Sequence, residues 1–257
     1  MCRLFGLIAN KKVDVKFSML EAKEKFKNKA KDNPNGWGIG WYDENSEAKV
    51  EKYAESAFYS IRFDELVKEV KSKIIITHVR MASCGSSTLK KNAHPFIYKN
   101  WIFAHNGTVN LERIKTLLKE PYNLNFTSEP IDSEVYFRYL IQSIEEQKNI
   151  VEGIKKAVSE VTKDDYGANF IMSDGENLYG FCCGYSLYYL ERDPKYPLSA
   201  ASKETLALIE AKKLAGEKAV IIASEEITPK EENWVRLKNK DLLVVDKNLR
   251  IRKYNLF

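Results

Sequence analysis

Cys2 follows directly on the initiator methionine, and that position decides what its thiol can do. A small second residue allows the methionine to be removed, which would make Cys2 the chain's own N-terminus. One residue would then carry a nucleophile and a base: a thiol with an ordinary pKa of about 8.5, and an α-amine of about 7.7–8.0. Moving the proton from sulfur to that nitrogen is uphill by only about 1 kcal/mol. A lysine amine, near 10.4, would be almost wholly protonated at neutral pH and could not serve. Pairing a nucleophile with its own terminal amine is an established activation strategy. The competing reading is a small, inert residue at the start of a buried strand.

Three further stretches carry chemistry-bearing side chains. Thr77-His78-Val79-Arg80 closes a β-branched run, so Arg80 falls where strand meets loop. An arginine fork there can grip a carboxylate through two parallel hydrogen bonds, or else form a surface ion pair. Asn106-Gly107 has the composition of a two-residue hairpin turn. The segment after it has a helical pattern instead of returning as a strand, and an Asn amide beside a glycine N–H also makes an oxyanion hole. Asp132 opens a helical pattern, where a carboxylate caps the helix or holds an ammonium group. His78, His94 and His105 are the only histidines. They lack helical i, i+4 spacing and any accompanying Cys-x-x-Cys, so no metal site is expected. They are expected to satisfy backbone groups near the site.

The elements that must position these residues follow from periodicity. Strands are expected at 3–9, 37–42, 49–53, 73–80, 101–105, 169–173, 178–182, 187–191, 219–223, 241–245 and 250–254. Residues 169–191 read as a meander, with a hairpin turn at 173–177. Helices are expected at 18–31, 61–71, 111–119 with Asn110 as cap, 132–147 with Asp132 or Ser133 as cap, 150–161 and 202–215. Residues 121–130 read as irregular, and 83–87 as a loop that includes Cys84. Strands and helices come in blocks with hairpin-length gaps, which favours an α+β domain on two antiparallel sheets.

Composition narrows the function. At 257 residues, the chain is expected to form a single domain over 1–257. Its charge of +5 comes from 41 basic and 36 acidic residues spread along the sequence, which argues against nucleic acid as a partner. No apolar run reaches the ~20 residues of a membrane span, and no signal-peptide pattern is present, so a cytoplasmic location is expected. The four cysteines lack metal spacing. Cys182 and Cys183 would face opposite sides of a strand, so reduced thiols are expected.

Met1-Cys2, Thr77-His78-Val79-Arg80-Met81-Ala82-Ser83, Asn92-Ala93-His94-Pro95-Phe96, Ala104-His105-Asn106-Gly107-Thr108 and Asp132-Ser133-Glu134 occur in this order. Together they resemble the glutaminase domain of the class-II glutamine amidotransferases, within the N-terminal-nucleophile hydrolases. Asn35-Gly36-Trp37-Gly38-Ile39, Ser173-Asp174-Gly175 and Trp234 extend the resemblance to stand-alone members, among them those of glutathione degradation and ergothioneine synthesis. The resemblance implies a four-layer αββα sandwich and no cofactor. By it, Cys2 is the nucleophile with its α-amine as base, and Asn106 and the Gly107 N–H form the oxyanion hole. Arg80 binds the α-carboxylate of glutamine, Asp132 its α-ammonium, and Ser83 assists at the carboxylate. One cationic and one anionic anchor suit a zwitterionic amino-acid head. Asn33-Pro34-Asn35-Gly36-Trp37-Gly38 stands where fused members carry an Arg-Gly-x-Asp-type closing loop, and it lacks the arginine.

The expected reaction is hydrolysis of the γ-amide of glutamine through a Cys2 thioester, with ammonia passing to a separate acceptor subunit where it is used in synthesis. Two alternatives stand beside it. One is hydrolysis of γ-glutamyl peptides or thiol conjugates, and the other is a non-catalytic amino-acid-binding regulatory subunit. The sequence leaves a homodimer open.

Overall fold

The computed structural model describes residues 1–22, 25–82, 89–126, 129–162, 167–192, 216–227 and 233–257. Alternation along the first strand sets the architecture. In β1 (Arg3–Val13), Leu4 and Ile8 point to one face, and Phe5, Leu7 and Ala9 to the other, and all five are buried. A strand buried on both faces needs a layer on each side. Its neighbour β4 (Ser72–Val79) repeats the pattern, with Ile74 and Ile76 on the inner face and Ile75 and Val79 on the outer.

The first sheet continues with β2 (Trp37–Tyr42), β3 (Ala48–Tyr53), β9 (Tyr188–Arg192), β10 (Ala219–Ala223) and β11 (Val235–Arg236), in the order β11-β9-β10-β1-β4-β2-β3. The second comprises β5 (Phe96–Tyr98), β6 (Trp101–Gly107), β7 (Ala168–Ser173), β8 (Leu178–Phe181), β12 (Asp241–Val245) and β13 (Ile251–Asn255), in the order β13-β12-β8-β7-β6-β5. The pairings in both are antiparallel.

Three apolar clusters define four layers. Leu4, Ile8, Ile74 and Ile76 meet Ile102, Ala104, Ile171 and Leu243 between the sheets. Outside the first sheet, Phe5, Trp37 and Ile39 pack on Phe63, Leu66 and Val67 of α1 (Ile61–Glu69). Outside the second, Phe103, Phe170 and Phe181 pack on α3 (Asp132–Gln147) and α4 (Ile150–Val161), with α2 (Leu111–Leu117) alongside. The fold is therefore α+β, a helix–sheet–sheet–helix sandwich of two antiparallel sheets. No helix among the described residues is long and apolar enough to cross a membrane.

Several expectations are corrected. Residues 18–31 do not form one helix. A π-helical turn (Phe17–Glu21) and a 3-10 turn (Phe26–Lys31) are separated at Ala22, whose backbone is extended. Met19, Ala22, Phe26 and Ala30 are still buried, so two short turns satisfy the same spacing as one rod. Residues 169–191 are not a meander: β7 and β8 pair, but β9 lies in the opposite sheet against β10. The buried Asn169 side chain bends the chain away, accepting from Cys183 N at 2.6 Å and donating to Tyr185 O at 3.0 Å. Asn106-Gly107 is not a turn, since β6 runs on through both residues, opposite Asn169 and Ala168. Neither Asp132 nor Ser133 caps α3: Ile131 occupies the cap position without a side-chain bond. Asn110 does cap α2, accepting from Arg113 N at 3.1 Å. The short strands β5 and β11 were not apparent in the pattern. The helix expected at 202–215 lies outside the described residues.

Candidate active site

Cys2 lies one residue ahead of β1. The register pairs Arg3 with Val79, so the thiol meets the chain just as it leaves β4. The Met81 N–H donates to Cys2 Sγ at 3.3 Å, and the thiol lies 3.4 Å from Met81 O. The side chain is partly buried. Burial pushes the thiol up from its ordinary range, against the opposing pull of the Met81 hydrogen bond and the charges of Arg80, the chain's amino terminus and Arg3. The sulfur therefore rests as a thiol and needs a base to become a nucleophile, while the Met81 N–H is in place to stabilise the thiolate.

Arg80 follows β4 directly and is buried, only 4% exposed. Burial lowers its pKa, and the charges of Cys2 and Asp132 act against that. An arginine still keeps its charge, so it forms a cationic anchor coupled electrostatically to both. The loop before β2 holds this segment in place. Arg80 N donates to Gly36 O at 2.7 Å, Asn35 N to Arg80 O at 3.0 Å, and Ala82 N to Asn35 Oδ1 at 3.0 Å. The stretch standing where a closing loop was expected is thus pinned to the residues around Cys2.

Strand alternation directs the residues of β6. Ile102 and Ala104 face the inter-sheet layer, so Asn106 does too, while Phe103 and His105 face the helices. Asn106 is buried at the strand's end. Gly107 is required by close approach, because a Cβ there would sit 1.7 Å from Gly167 O. Asp132, the first residue of α3, accepts from Val109 N through Oδ2 at 3.0 Å, the loop that leaves β6. That bond takes the place of the expected cap.

Two histidines tie these pieces together. His78 Nε2 lies 3.2 Å from His105 O, spanning the two sheets. His105 Nδ1 lies 2.9 Å from Ser133 Oγ, and Ser133 Oγ makes a long 3.4 Å contact with Asp132 Oδ1. With His105 as the Nδ1–H tautomer, Ser133 accepts from the ring and turns its own proton toward Asp132. His94 packs on His78 at a 30° tilt with ring centroids 4.4 Å apart, and both its nitrogens are buried without a partner among the described residues, so it does not satisfy a backbone group there as expected. Burial holds His78 down to about 3 and His94 well below the usual histidine range. Burial also lowers His105, against the pull of Asp132. These rings stay neutral at physiological pH. No group of His, Cys, Asp or Glu among the described residues could hold a metal ion.

Cys2, Arg80, Asn106-Gly107 and Asp132 are thus gathered at one end of the sandwich by β1, β4, β6 and α3. Ser83 and Cys84 lie outside the described residues. Sequence reasoning missed the Met81 N–H, the role of Asn35 and the His105–Ser133 half of the His78–His105–Ser133 link, whereas His78 meets a backbone group near the site as expected. Alternation gave a signal for the link, since His78 shares the inward face with Ile74 and Ile76.

The family model of the class-II glutamine amidotransferases matches residues 1–252. An uncharacterised Methanocaldococcus jannaschii protein is 32% identical, over 95% of this chain and 69% of its own length. A Haemophilus influenzae protein named as a glutamine amidotransferase is 28% identical, over 93% and 82%. The γ-glutamyl-hercynylcysteine sulfoxide hydrolase of Mycolicibacterium smegmatis is 26% identical over 30% of this chain and 34% of that protein. Among solved structures, the glutamine phosphoribosylpyrophosphate amidotransferase of B. subtilis superposes with a TM-score of 0.67 at 16% identity, covering all of this chain and 49% of that one, which shows a shared fold. With a family match spanning both sheets and the whole cluster, the chain belongs to the class-II glutamine amidotransferases, enzymes that cleave the γ-amide of glutamine or of a related γ-glutamyl compound.

Proposed function

We propose that Cys2, freed of Met1, is the nucleophile of a glutaminase. The Cys2 thiol passes its proton to its own α-amine, and the thiolate attacks the side-chain carbonyl of glutamine. The Asn106 amide and the Gly107 N–H take the developing oxyanion. The tetrahedral adduct collapses, the α-ammonium returns a proton to the leaving nitrogen, and ammonia departs from a γ-glutamyl thioester. The α-amine then deprotonates a water, which cleaves the thioester to glutamate and regenerates the thiol. Arg80 grips the α-carboxylate and Asp132 the α-ammonium, with Ser83 assisting at the carboxylate. The observation that carries this reading is the His78–His105 contact, which supports the arrangement of cation, oxyanion donors and anion around the end of β1. Where the ammonia is used in synthesis, a separate acceptor subunit receives it.

A second substrate class is favoured by one feature. The loop at Asn35-Gly36 is fastened to Arg80 and Ala82 and carries no closing arginine, which supports a leaving group larger than ammonia. A γ-glutamyl peptide or thiol conjugate would then be hydrolysed by the same steps, in line with the similarity to the M. smegmatis hydrolase. Glutamate release from glutamine and from a γ-glutamyl dipeptide, measured for wild type and Cys2→Ala, decides both points. Turnover confined to the wild type is expected, with the ratio of kcat/KM values naming the substrate. Equal turnover by the two proteins would remove Cys2 from the mechanism.

A further inference from the structure

Between β8 and β9 the chain crosses from the second sheet to the first, at the end of the sandwich where Cys2 lies. β8 ends at Phe181, opposite Phe170 near the start of β7, and β7 starts beside Gly107. β9 starts at Tyr188, opposite Ala223, which pairs in turn with Phe5. Asn169 lies directly opposite Asn106, so their side chains share the inter-sheet face with Cβ atoms about 5 Å apart. The buried Asn169 amide grips the crossing. Its Nδ2 donates to Tyr185 O at 3.0 Å and to Ser186 O at 3.3 Å, and its Oδ1 accepts from Tyr185 N at 3.4 Å. Ser186 Oγ donates to Ser224 O at 2.8 Å, and Ser224 Oγ accepts from Leu4 N at 2.9 Å. Tyr185 is therefore fixed between the proposed oxyanion donors and the start of β1. Its half-buried ring lies on Gly167, where a Cβ would sit 2.2 Å from Tyr185 Cε2. Gly167 O in turn lies against Gly107 and accepts from Thr108 N at 3.0 Å.

We propose that the Tyr185 ring selects the leaving group of a γ-glutamyl substrate, preferring a peptide or thiol conjugate with an aromatic or bulky apolar group beside the scissile bond. The order of strands gives the direction. In the first sheet β1 lies between β4 and β10, and in the second β7 lies between β6 and β8. Arg80 follows β4 and is coupled electrostatically to Asp132, so the proposed anchors for the amino-acid head lie on the β4 side of Cys2. Tyr185 lies on the opposite side, held by Asn169 of β7 and, through Ser186, by Ser224 after β10. A γ-glutamyl chain with its head at Arg80 and its carbonyl at Cys2 therefore extends its leaving group toward Tyr185. Glutamine releases only ammonia, which makes no use of the ring. An aromatic or branched side chain buries apolar area on it, and ring stacking adds a preferred geometry. Tyr185 holds the leaving group and takes no part in proton transfer, which makes it a specificity-determining residue.

This inference rests on the second substrate class proposed above, and its test separates the two. Glutamate release from glutamine, γ-glutamylglycine and γ-glutamylphenylalanine is measured for wild type, Tyr185→Ala, Tyr185→Phe and Cys2→Ala, with loss of Met1 verified by intact mass. The wild type is expected to prefer γ-glutamylphenylalanine to γ-glutamylglycine by about tenfold or more in kcat/KM, the scale of an apolar contact in a specificity pocket. That preference should be lost in Tyr185→Ala and kept in Tyr185→Phe. A purely structural role would lower kcat/KM for every substrate by a common factor and leave the preference in place, which overturns the inference. A preference lost equally in Tyr185→Phe overturns it too, since the ring would then not be the contact. Should Tyr185→Ala fail to fold, equal kcat/KM values for the two dipeptides in the wild type overturn it as well. Full turnover by Cys2→Ala, or no release from either dipeptide by a wild type active on glutamine, would instead overturn the proposed reaction, and the role of Tyr185 with it.

Discussion

The imidazole of His78 crosses from one sheet to the other, with Nε2 3.2 Å from the backbone oxygen of His105. Two residues beyond His78 lies Arg80, and one beyond His105 lies Asn106. The contact therefore couples the position of Arg80 to that of Asn106-Gly107, the proposed cationic anchor and oxyanion donors. From the other side of β6, His105 continues through Ser133 to Asp132. Cutting this last link in Ser133→Ala leaves the Asp132 carboxylate held by Val109 N alone, without touching Cys2. A rise in KM for glutamine of about 3- to 10-fold is expected, with kcat within about twofold, as for the loss of one ordinary hydrogen bond at a binding group. Steady-state kinetics checks it, and an equal fall in kcat with KM unchanged would place Ser133 in the chemical step.

Gly107→Ala tests the close approach behind the proposed oxyanion hole. The new Cβ would fall 1.7 Å from Gly167 O, where Thr108 N donates at 3.0 Å. Two backbone segments must separate to admit it, and the Gly107 N–H moves with them. Destabilisation of about 2–4 kcal/mol is expected. In protein that still folds, kcat should fall about 100-fold or more. Denaturant unfolding and initial rates measure the two effects, and wild-type rates would dismiss Gly107 as an oxyanion donor.

Asn35→Ala should act on the nucleophile from a distance. Its Oδ1 anchors Ala82 N, the amide next to the one that donates to Cys2 Sγ. Loosening that segment weakens a thiolate donor, and the thiol is already held high by burial. The rate of Cys2 alkylation by a small electrophile should drop about 3- to 10-fold at pH 7, and its pH profile should move upward. An unchanged profile would mean that Met81 keeps its place without Asn35.

The buried histidines make stability fall in acid. His78 is held to about 3 in the folded protein, against about 6.5 in an unfolded chain. The unfolded chain therefore binds that proton first as pH drops. Stability from this source is full above about pH 6.5 and is lost as pH falls toward 3, by about 1.4 kcal/mol per pH unit. His94 is shifted in the same direction. Replacing it by Leu should remove its share of the slope. Between pH 6.5 and 5, the unfolding free energy of His94→Leu should fall less steeply than that of the wild type. Parallel pH curves from urea titrations would show that the proton is taken up elsewhere.

The sequence revealed the strands well where side-chain alternation or β-branched runs coincided with burial on both faces, as in 73–80 and 219–223. The helices 132–147 and 150–161 matched to the residue because long amphipathic stripes tolerate little shift. Short-range composition misled where a distant partner intervened. Asn106-Gly107 has the composition of a turn, a reading already weakened by the helical pattern after it, and Asn169 and Ala168 hold it in a ladder. Asp132 has the makings of a cap, yet Val109, 23 residues away, supplies the donor that takes its oxygen. The change of sheet at β9 depends on the hydrogen bonds of Asn169, which no local pattern encodes. Cys2, Arg80 and Asp132 could be singled out because their chemistry is rare at such positions. The backbone donor at Met81 could not, since any residue offers the same N–H.

The first strand is flanked by β4, about seventy residues downstream, and by β10, which starts at Ala219. Glu225, the carboxylate beside Arg3, comes later still. During synthesis, the leading sulfur emerges from the ribosome long before its enclosure exists. The proposed methionine trimming would then act on an open, extended chain. On the proposed mechanism, the surroundings of that sulfur are complete only in a nearly full-length polypeptide, so prematurely terminated products are expected to carry the thiol without consuming glutamine.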